Sequence, residues 1–207
     1  MFKTKQILVF FIVFLFSFSS QAQKIKAEIY LINGDTLSGY TNNLQWDFIK
    51  FRTGKKGRFK SYGPKEITGA KTYITNGIIQ YRIIGFKKNI EKQKIKYRLA
   101  QVIIVGKVNY YKHSYVYGAD SASGLDGTIN TNAHSGFRQS EYFVKRKDEI
   151  LATYLSTGGQ VIFAKNFKKA ILDYFKDCTK LIAKIENDTS KKRNISEIVE
   201  FYNTKCE

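Results

Sequence analysis

Residues 24–40, KIKAEIYLINGDTLSGY, combine two strand patterns with a turn signal between them. Over residues 25–31, apolar side chains alternate with charged or polar ones, and this period of two is typical of a half-buried β-strand. Asn33-Gly34 favours a hairpin, because both residues accept positive φ angles at little cost. Residues 36–40 would return as the second strand, and residues 44–51 would form a third. The stretch therefore predicts the opening of an antiparallel sheet.

The region after this opening contains further strand patterns, separated by turn residues such as Asn76-Gly77. The run 94–108 alternates at first and becomes apolar on both faces at residues 102–105, which predicts a buried centre with helices covering its second face. Residues 118–136 are rich in Ser, Gly, Asn and Asp, so they predict a long loop that is either functional or flexible. The predicted strands cover residues 58–62, 67–74, 78–86, 94–108, 109–117, 137–147 and 149–155.

From Asn166 onward the apolar residues recur at helical spacing, and Asn166 could cap the first helix. A second short helix is predicted around residues 181–185. A third would start at residues 194–197, Asn-Ile-Ser-Glu, which resemble a capping box.

The predicted fold class is α+β, with a mostly antiparallel β-sheet covered by C-terminal helices. Residues 23–164 would form the β domain, which includes the loop 118–136. Residues 165–207 would form a helical segment packed on the sheet.

Several short motifs lie at both ends of the chain: residues 33–40, Trp46, residues 48–51, residues 62–69, Asp177-Cys178 and residues 202–206. Together they resemble an uncharacterised group of exported proteins from Bacteroidetes. The pattern of that group is a Gly-Asp-Thr-aliphatic-x-Gly hairpin, then Tyr-x-Pro-x-Asp/Glu-Ile-x-Gly, then C-terminal helices with Asp-Cys and Tyr-Asn…Cys. The resemblance implies export and this architecture, and it implies no particular chemistry.

Residues 1–22 have the pattern of a signal peptide that is not part of the fold. A basic start precedes the apolar run 7–18, and Ser20 and Ala22 supply small residues at the −3 and −1 positions of a cleavage site. The alternative is a membrane anchor, but the apolar run is shorter than the roughly 20 residues that a spanning helix needs. No Cys stands near the cleavage point, so a lipoprotein is not expected. The predicted location is periplasmic or secreted.

The formal net charge is +18, and lysine far outnumbers arginine. A basic sheet suggests a polyanionic partner, such as an anionic glycan, lipopolysaccharide or an anionic membrane surface. The alternative is compositional bias combined with solvated strand faces, because bidentate recognition of phosphate favours arginine. Export argues against genomic nucleic acid.

Tyrosine and basic residues interleave along several of the predicted strands. A face that stacks bases or sugars would have this composition, and so would an ordinary half-buried strand. The candidate ligand face comprises Tyr81, Arg82, Tyr97, Arg98, Tyr110, Tyr111 and His113.

The sequence offers little for catalysis. His113 is predicted on a strand and His134 in the loop 118–136, without a nucleophile elbow or a zinc-binding motif. We therefore predict no catalytic residue, no metal site and no cofactor. The expected function is an exported, non-catalytic binding or structural module of the cell envelope. The alternative is a periplasmic or secreted hydrolase that acts on glycan or peptide near residues 118–136.

Two covalent features are predicted. Cys178 and Cys206 are expected to form a disulfide, since an oxidising compartment permits it and both lie on apolar helix faces. The alternative is two free thiols, one of them catalytic. Asp120-Ser121-Ala122 resembles a sequon for O-glycosylation at Ser121, and the alternative for this tripeptide is a simple Asx-turn.

We expect residues 1–22 to be removed on export, because the basic start, the short apolar core and the small residues before Gln23 match a signal-peptidase substrate. Mass spectrometry of the exported protein should find Gln23 or its immediate neighbour at the N terminus. Retention of the hydrophobic segment would contradict this prediction.

Overall fold

A computed structural model describes residues 25–44, 47–88, 94–117, 137–157, 165–187 and 194–206. The strands in these ranges are β1 (Ile25–Leu31), β2 (Thr36–Leu44), β3 (Ile49–Arg52), β4 (Lys60–Tyr62), β5 (Ile67–Ile74), β6 (Gly77–Lys87), β7 (Lys96–Ile104), β8 (Val108–Tyr117), β9 (Phe137–Arg146) and β10 (Ala152–Thr157). The helices are α1 (Lys165–Tyr174), α2 (Thr179–Asn187) and α3 (Ile195–Lys205). The predicted α+β class is confirmed. The predictions for residues 1–22, residues 118–136, Ser121 and His134 lie outside the described residues.

Both Asn-Gly signals form the expected hairpin turns. At the first, Gly34 has a φ angle of +94°, and the Asp35 amide donates a hydrogen bond of 3.1 Å to Asn33 Oδ1. At the second, Gly77 has a φ angle of +137°. Because other side chains are strained at such φ angles, these glycines fix the turns and thereby the registers of β1 on β2 and of β5 on β6.

The described strands form one sheet in the order β10-β9-β8-β7-β6-β5-β1-β2-β3-β4. One edge of β6 pairs with two different strands. Its first half, up to Arg82, pairs with β5, whereas Phe86 and Lys87 pair in parallel with Ala152 and Thr153 of β10. The second pairing closes β6 to β10 into a ring, and the remaining strands extend from it as an open sheet.

Apolar side chains fill three clusters around this framework. The ring interior contains Ile84, Phe86, Ala100, Tyr111, Phe143 and Ala152. The core of the open sheet contains Ala27, Ile29, Ile49, Phe51, Ile67, Ala70 and Leu99. The third cluster joins β8 and β9 to the helices, and it includes Val108, Tyr142, Val144, Phe175, Leu181 and Val199. Alternate residues of β8 and β9 thus face the ring interior and the helices, which is why both faces of these strands are apolar.

The predicted disulfide is confirmed, because Cys178 and Cys206 are bonded with their Cα atoms 5.6 Å apart. Cys178 lies between α1 and α2, and Cys206 caps the C terminus of α3. The bond therefore ties the end of α3 to the junction of the other two helices.

Asn203 of α3 attaches this helix to the sheet by pairing with backbone atoms. Its Nδ2 donates to the carbonyl oxygen of Val108 at 2.9 Å, and its Oδ1 accepts from the amide of Val108 at 2.8 Å. The side-chain amide thus replaces a neighbouring strand at the start of β8. Gly106 lies against the same amide, and a Cβ atom at this position would approach Asn203 Nδ2 to about 2.3 Å.

Arg146, the last residue of β9, links the sheet to two of the helical segments. Its Nη2 donates to the Tyr174 carbonyl oxygen at 2.9 Å and to Asp177 Oδ1 at 3.0 Å. The guanidinium also lies 4.4 Å from the Tyr174 ring centroid. Tyr202 completes the contact, because its hydroxyl donates to Asp177 Oδ2 at 2.5 Å. Asp177-Cys178 and Tyr202-Asn203, which belong to the motifs described above, therefore meet at one junction between sheet and helices.

Several predicted boundaries differ from the structure. Residues 94–108 are not one strand, because β7 ends at Ile104 and the chain turns through Gly106 before β8; Val105 is 73% exposed. The apolar run of residues 94–108 therefore continues through a turn, where the alternation of apolar and polar residues does not indicate which side chains are buried. Residues 44–51 divide between β2 and β3, because Leu44 of β2 pairs with Ile49 of β3.

Two further boundaries concern the C-terminal part. The last strand begins at Ala152 and not at residue 149, because Glu149 accepts hydrogen bonds from Arg146 in the preceding turn. Helix α1 begins at Lys165, so Asn166 lies inside it and not in the capping position. The cap of α3 is confirmed, since Asn194 Oδ1 accepts from the Ser196 amide at 3.0 Å.

Replacing both cysteines (Cys178→Ala with Cys206→Ala) should lower the free energy of unfolding by roughly 3–4 kcal/mol, because the bond closes a long loop in the unfolded chain. Urea unfolding should show the loss. Amide hydrogen exchange should show that α1 to α3 lose protection before β1 and β5. Thr204→Ala on the exposed side of α3 is the control, and it should change stability by less than about 0.5 kcal/mol. Equal loss of protection in sheet and helices would contradict the prediction.

Candidate functional site

One face of the open sheet presents polar and aromatic side chains to solvent, while the opposite face packs on the core of the open sheet. The β1–β2 hairpin and the long-range antiparallel pairing of β1 with β5 set the registers of β2, β1 and β5, so these side chains fall into rows across the three strands. The first row is Tyr40, Lys26 and Tyr73, the second is Ser38, Glu28 and Lys71, and the third is Thr36, Tyr30 and Gly69.

Glu28 lies at the centre of this face and contacts a neighbour with each carboxylate oxygen. The Tyr73 hydroxyl donates to Glu28 Oε1 at 2.5 Å, and Lys71 Nζ lies 3.8 Å from Glu28 Oε2. The hydrogen bond to Glu28 raises the pKa of Tyr73 above its ordinary value, so the phenol remains protonated at neutral pH. Glu28 thus fixes the direction of the Tyr73 ring, which stays partly exposed.

Tyr30 is the second aromatic residue held by charged neighbours on this face. The Arg82 guanidinium lies 5.5 Å from the centroid of its ring, and Lys71 Nζ lies 6.0 Å from it. Gly69 stands between Tyr30 and Arg82 in the register. A Cβ atom on Gly69 would lie 2.4 Å from the Tyr81 carbonyl oxygen and 3.2 Å from Arg82 Cδ, so glycine leaves the room that Arg82 occupies.

A groove of about 590 Å³ opens on this face. This volume lies within the range of small-ligand sites. Three cations lie on the same sheet face as the carboxylate of Glu28: Lys26 lines the groove, Lys71 lies next to Glu28, and Arg82 lies next to Tyr30. Tyrosine rings, hydroxyls and cations are therefore available on one rigid surface. The residues that line the groove are Lys26, Ala27, Glu28, Ser38, Gly39, Tyr40, Thr53 and Tyr73.

Gly39 forms the floor of the groove and lets β2 and β3 approach closely. A Cβ atom there would lie 2.1 Å from the Arg52 carbonyl oxygen and 2.7 Å from Phe51 Cζ. The buried Phe51 ring thus packs against the glycine from the core side. This contact brings the end of β3, and with it Thr53, to the edge of the groove.

The structure does not bring the predicted candidate ligand face together on one surface. Neighbouring residues of a strand point to opposite sides of the sheet. The two side chains of each adjacent pair therefore lie on opposite faces, and the pairs are Tyr81-Arg82, Tyr97-Arg98 and Tyr110-Tyr111. Tyr81 packs against the core of the open sheet, Tyr97 is exposed, and Tyr110 lies beneath the helices. Arg82 lies on the solvent face of the open sheet beside Tyr30, while Arg98, Tyr111 and His113 belong to the interior side of the ring.

Sequence reasoning missed the residues of the groove, although a signal for them was present. Lys26, Glu28 and Tyr30 are the polar positions of the first alternating strand. Their alignment with Tyr40 and Tyr73 follows only when the register of the β1–β2 hairpin is combined with the long-range pairing of β1 with β5.

A cluster of ionisable side chains lies on the interior side of the ring. Arg98 Nε donates to Glu141 Oε2 at 2.6 Å, and the guanidinium lies 5.3 Å from the Phe86 ring centroid. His113 stands directly opposite Glu141 in the register of β8 and β9, and its Nδ1 lies 3.1 Å from the Leu99 carbonyl oxygen. Because a carbonyl oxygen only accepts, Nδ1 carries the proton. His113 and Glu141 are 5% and 2% exposed, so the described surface gives a substrate little access to them.

Burial lowers the pKa of His113 below its ordinary value, and the hydrogen bond to Leu99 opposes this shift. Arg98 lowers the pKa further, whereas the carboxylates of Glu141 and Asp47 raise it. The imidazole is therefore neutral at pH 7 and helps to hold β7 and β8 together.

Comparison of the chain with protein-family models, with curated proteins and with solved structures found no match. Among the described residues, no group of three or more His, Cys, Asp or Glu side chains is arranged to hold a metal ion. In that same part of the chain, no helix is long and apolar enough to cross a membrane.

We expect the free energy of unfolding to fall as the pH drops below about 6.5, because His113 takes up a proton more readily in the unfolded chain than in the fold. This contribution is fully present above pH 6.5 and is lost as the pH falls through the lowered pKa. Its slope can reach at most about 1.4 kcal/mol per pH unit for one proton.

Urea unfolding of the wild type and of His113→Gln at pH 7.5, 6.5 and 5.5 measures this effect. His134 is present in both proteins, so the difference between their slopes isolates His113. Identical slopes would show that His113 does not titrate differently on folding.

Proposed function

We propose that the protein is an exported, non-catalytic binding module of the cell envelope that recognises anionic saccharides in the groove. The observation that carries the proposal is the grouping of Tyr30, Tyr40 and Tyr73 with Lys26, Lys71 and Arg82 on the solvent face of one sheet. This combination offers both apolar ring faces and positive charge to the same ligand.

The chemistry of the groove suits a charged sugar. Tyrosine rings present flat apolar surface to the C–H faces of a pyranose and keep a hydroxyl for hydrogen bonding. Lys26 is exposed, and the guanidinium of Arg82 can pair with a carboxylate, sulfate or phosphate group. Ser38 and Thr53 add hydroxyls at the groove wall. Because cations exceed carboxylates here, an anionic saccharide is favoured over a neutral one.

The groove is built on strands, which supports a binding function without large rearrangement. Glu28 holds Tyr73 and Lys71 in place, and Gly69 leaves room for Arg82 beside Tyr30. Side chains fixed in this way lose little conformational entropy when a ligand binds.

The compartment belongs to the same proposal. The disulfide between Cys178 and Cys206 suits an oxidising environment, and the signal-peptide pattern of residues 1–22 suits export. The hydrolase alternative has its site near residues 118–136, outside the described residues, whereas the groove provides a described surface for binding.

Isothermal titration with a heparin-derived octasaccharide, and with a neutral dextran oligosaccharide of similar size, tests the proposal. We expect weak binding of the anionic probe only, with release at moderate ionic strength. Tyr73→Ala should weaken binding by about tenfold and Arg82→Gln by about three- to tenfold, because one loses a stacking ring and the other a charge.

Two exposed residues outside the groove serve as matched controls for these variants. Tyr97→Ala removes a tyrosine, and Lys65→Gln removes a positive charge. Both should change the affinity by less than about twofold. Equal losses in groove and control variants would mean that the groove is not the binding site, and equal binding of dextran would contradict the preference for anions.

A further inference from the structure

The end of the ring where β6 finishes, β7 begins and β9 turns into β10 exposes large apolar side chains. Ile150 in this turn is 89% exposed, the largest exposure among the exposed large hydrophobic residues of the described chain. Ile95 and Tyr97 at the start of β7 are also exposed. Phe86 pairs with both Lys96 and Ala152, so the three segments lie side by side.

Gly85 joins these side chains into one apolar patch. A Cβ atom on Gly85 would lie 3.2 Å from Leu151 Cδ2, 3.3 Å from Tyr97 Cε1 and 3.4 Å from Ile95 Cγ2. Side chains from two separate segments therefore converge over the bare backbone of Gly85, and the exposed Ile150 is the chain neighbour of Leu151. We call Ile95, Tyr97, Ile150 and Leu151 the apolar end of the ring.

Lysines surround the apolar end. The exposed lysines on the same three segments are Lys87, Lys88, Lys94, Lys96 and Lys147. Among the described residues of these three segments, two are acids, but Glu149 accepts hydrogen bonds from the Tyr174 hydroxyl and from Arg146, which leaves Asp148 as the exposed acid of the β9–β10 turn. The local charge is therefore strongly positive.

A second exposed apolar site, at the β5–β6 hairpin, lacks this positive charge. Ile74 and Ile78 at the β5–β6 hairpin are 41% and 58% exposed, yet residues 73–80 contain no charged side chain. Exposed apolar side chains are thus surrounded by lysines at the apolar end of the ring, but not at the β5–β6 hairpin.

We propose that the apolar end of the ring docks on an anionic phospholipid membrane surface. Ile150 and Ile95 enter the boundary between headgroups and acyl chains, Tyr97 lies at headgroup level, and the lysines contact lipid phosphates. Long lysine side chains can place their aliphatic stems along the apolar patch while the ammonium groups reach the headgroups. A protein partner of ordinary affinity would instead bury a larger and less charged surface.

This surface is independent of the saccharide groove, since none of its residues lines the groove. A protein docked in this way would be held at the membrane while its groove stays open to a ligand. The failure of one proposal therefore leaves the other intact.

Cosedimentation of the mature protein with two kinds of vesicle tests the docking. One contains phosphatidylcholine with about 30% phosphatidylglycerol, and the other contains phosphatidylcholine alone. We expect binding to the anionic vesicles only, with release in high salt. The pair Ile95→Ser with Ile150→Ser should reduce partitioning by about tenfold or more. Each of Lys87→Gln and Lys96→Gln should reduce it by about fivefold.

The pair Ile74→Ser with Ile78→Ser is the matched control, because it removes the same kind of exposed side chain from the uncharged hairpin. It should change partitioning by less than about twofold. Ile150→Trp adds a gain-of-signal readout, whose fluorescence should shift to the blue on anionic vesicles, while Ile78→Trp should not shift. Absence of binding, equal binding to neutral vesicles, or equal loss in the control pair would each overturn the proposal.

Discussion

The fold depends on one edge of β6, which pairs with two different strands. This eleven-residue strand pairs with β5 along its first half and with β10 at its end. As a result, one face of the same strand changes its environment along its length. Gln80 and Arg82 are exposed on the solvent face of the open sheet, whereas Ile84 and Phe86 are enclosed by the ring. A shorter strand could serve either partner, but it could not join the open sheet to the ring in one continuous ladder.

The helices are held on this framework by a junction that combines several kinds of interaction. Arg146 forms hydrogen bonds with Tyr174, Asp177 and Tyr202. The disulfide joins Cys178, which directly follows Asp177, to the end of α3. Because the carboxylate, the hydroxyl and the guanidinium satisfy one another, a charged residue can remain partly buried at the interface. The junction gives a physical role to short motifs that carry no evident chemistry in the sequence.

Sequence reasoning succeeded where the signal is local. The two Asn-Gly turns, the extent of β5, the cap at Asn194 and the disulfide all follow from residues close together or from a known pairing chemistry. It failed where the outcome depends on distant partners. The start of β8 after the break is held by Asn203, which lies 95 positions from Val108, and the closure of β6 by β10 joins strands that are also far apart in sequence. The groove was missed for the same reason, since Tyr40, Lys26 and Tyr73 come together only across three strands.

Closure of the ring also limits how the edges of the sheet can associate with other chains. A sheet of this order would have β10 and β4 as its two terminal strands, but β10 turns its outer edge to β6 at Ala152 and Thr153. The described sheet then has β4 as its open terminal strand, and β4 is only three residues long, with Lys60 in an ion pair with Glu66. Short, charged edge strands are poor templates for edge-to-edge association. A strand-rich chain with many tyrosines, isoleucines and phenylalanines is thereby protected against aggregation by its own topology.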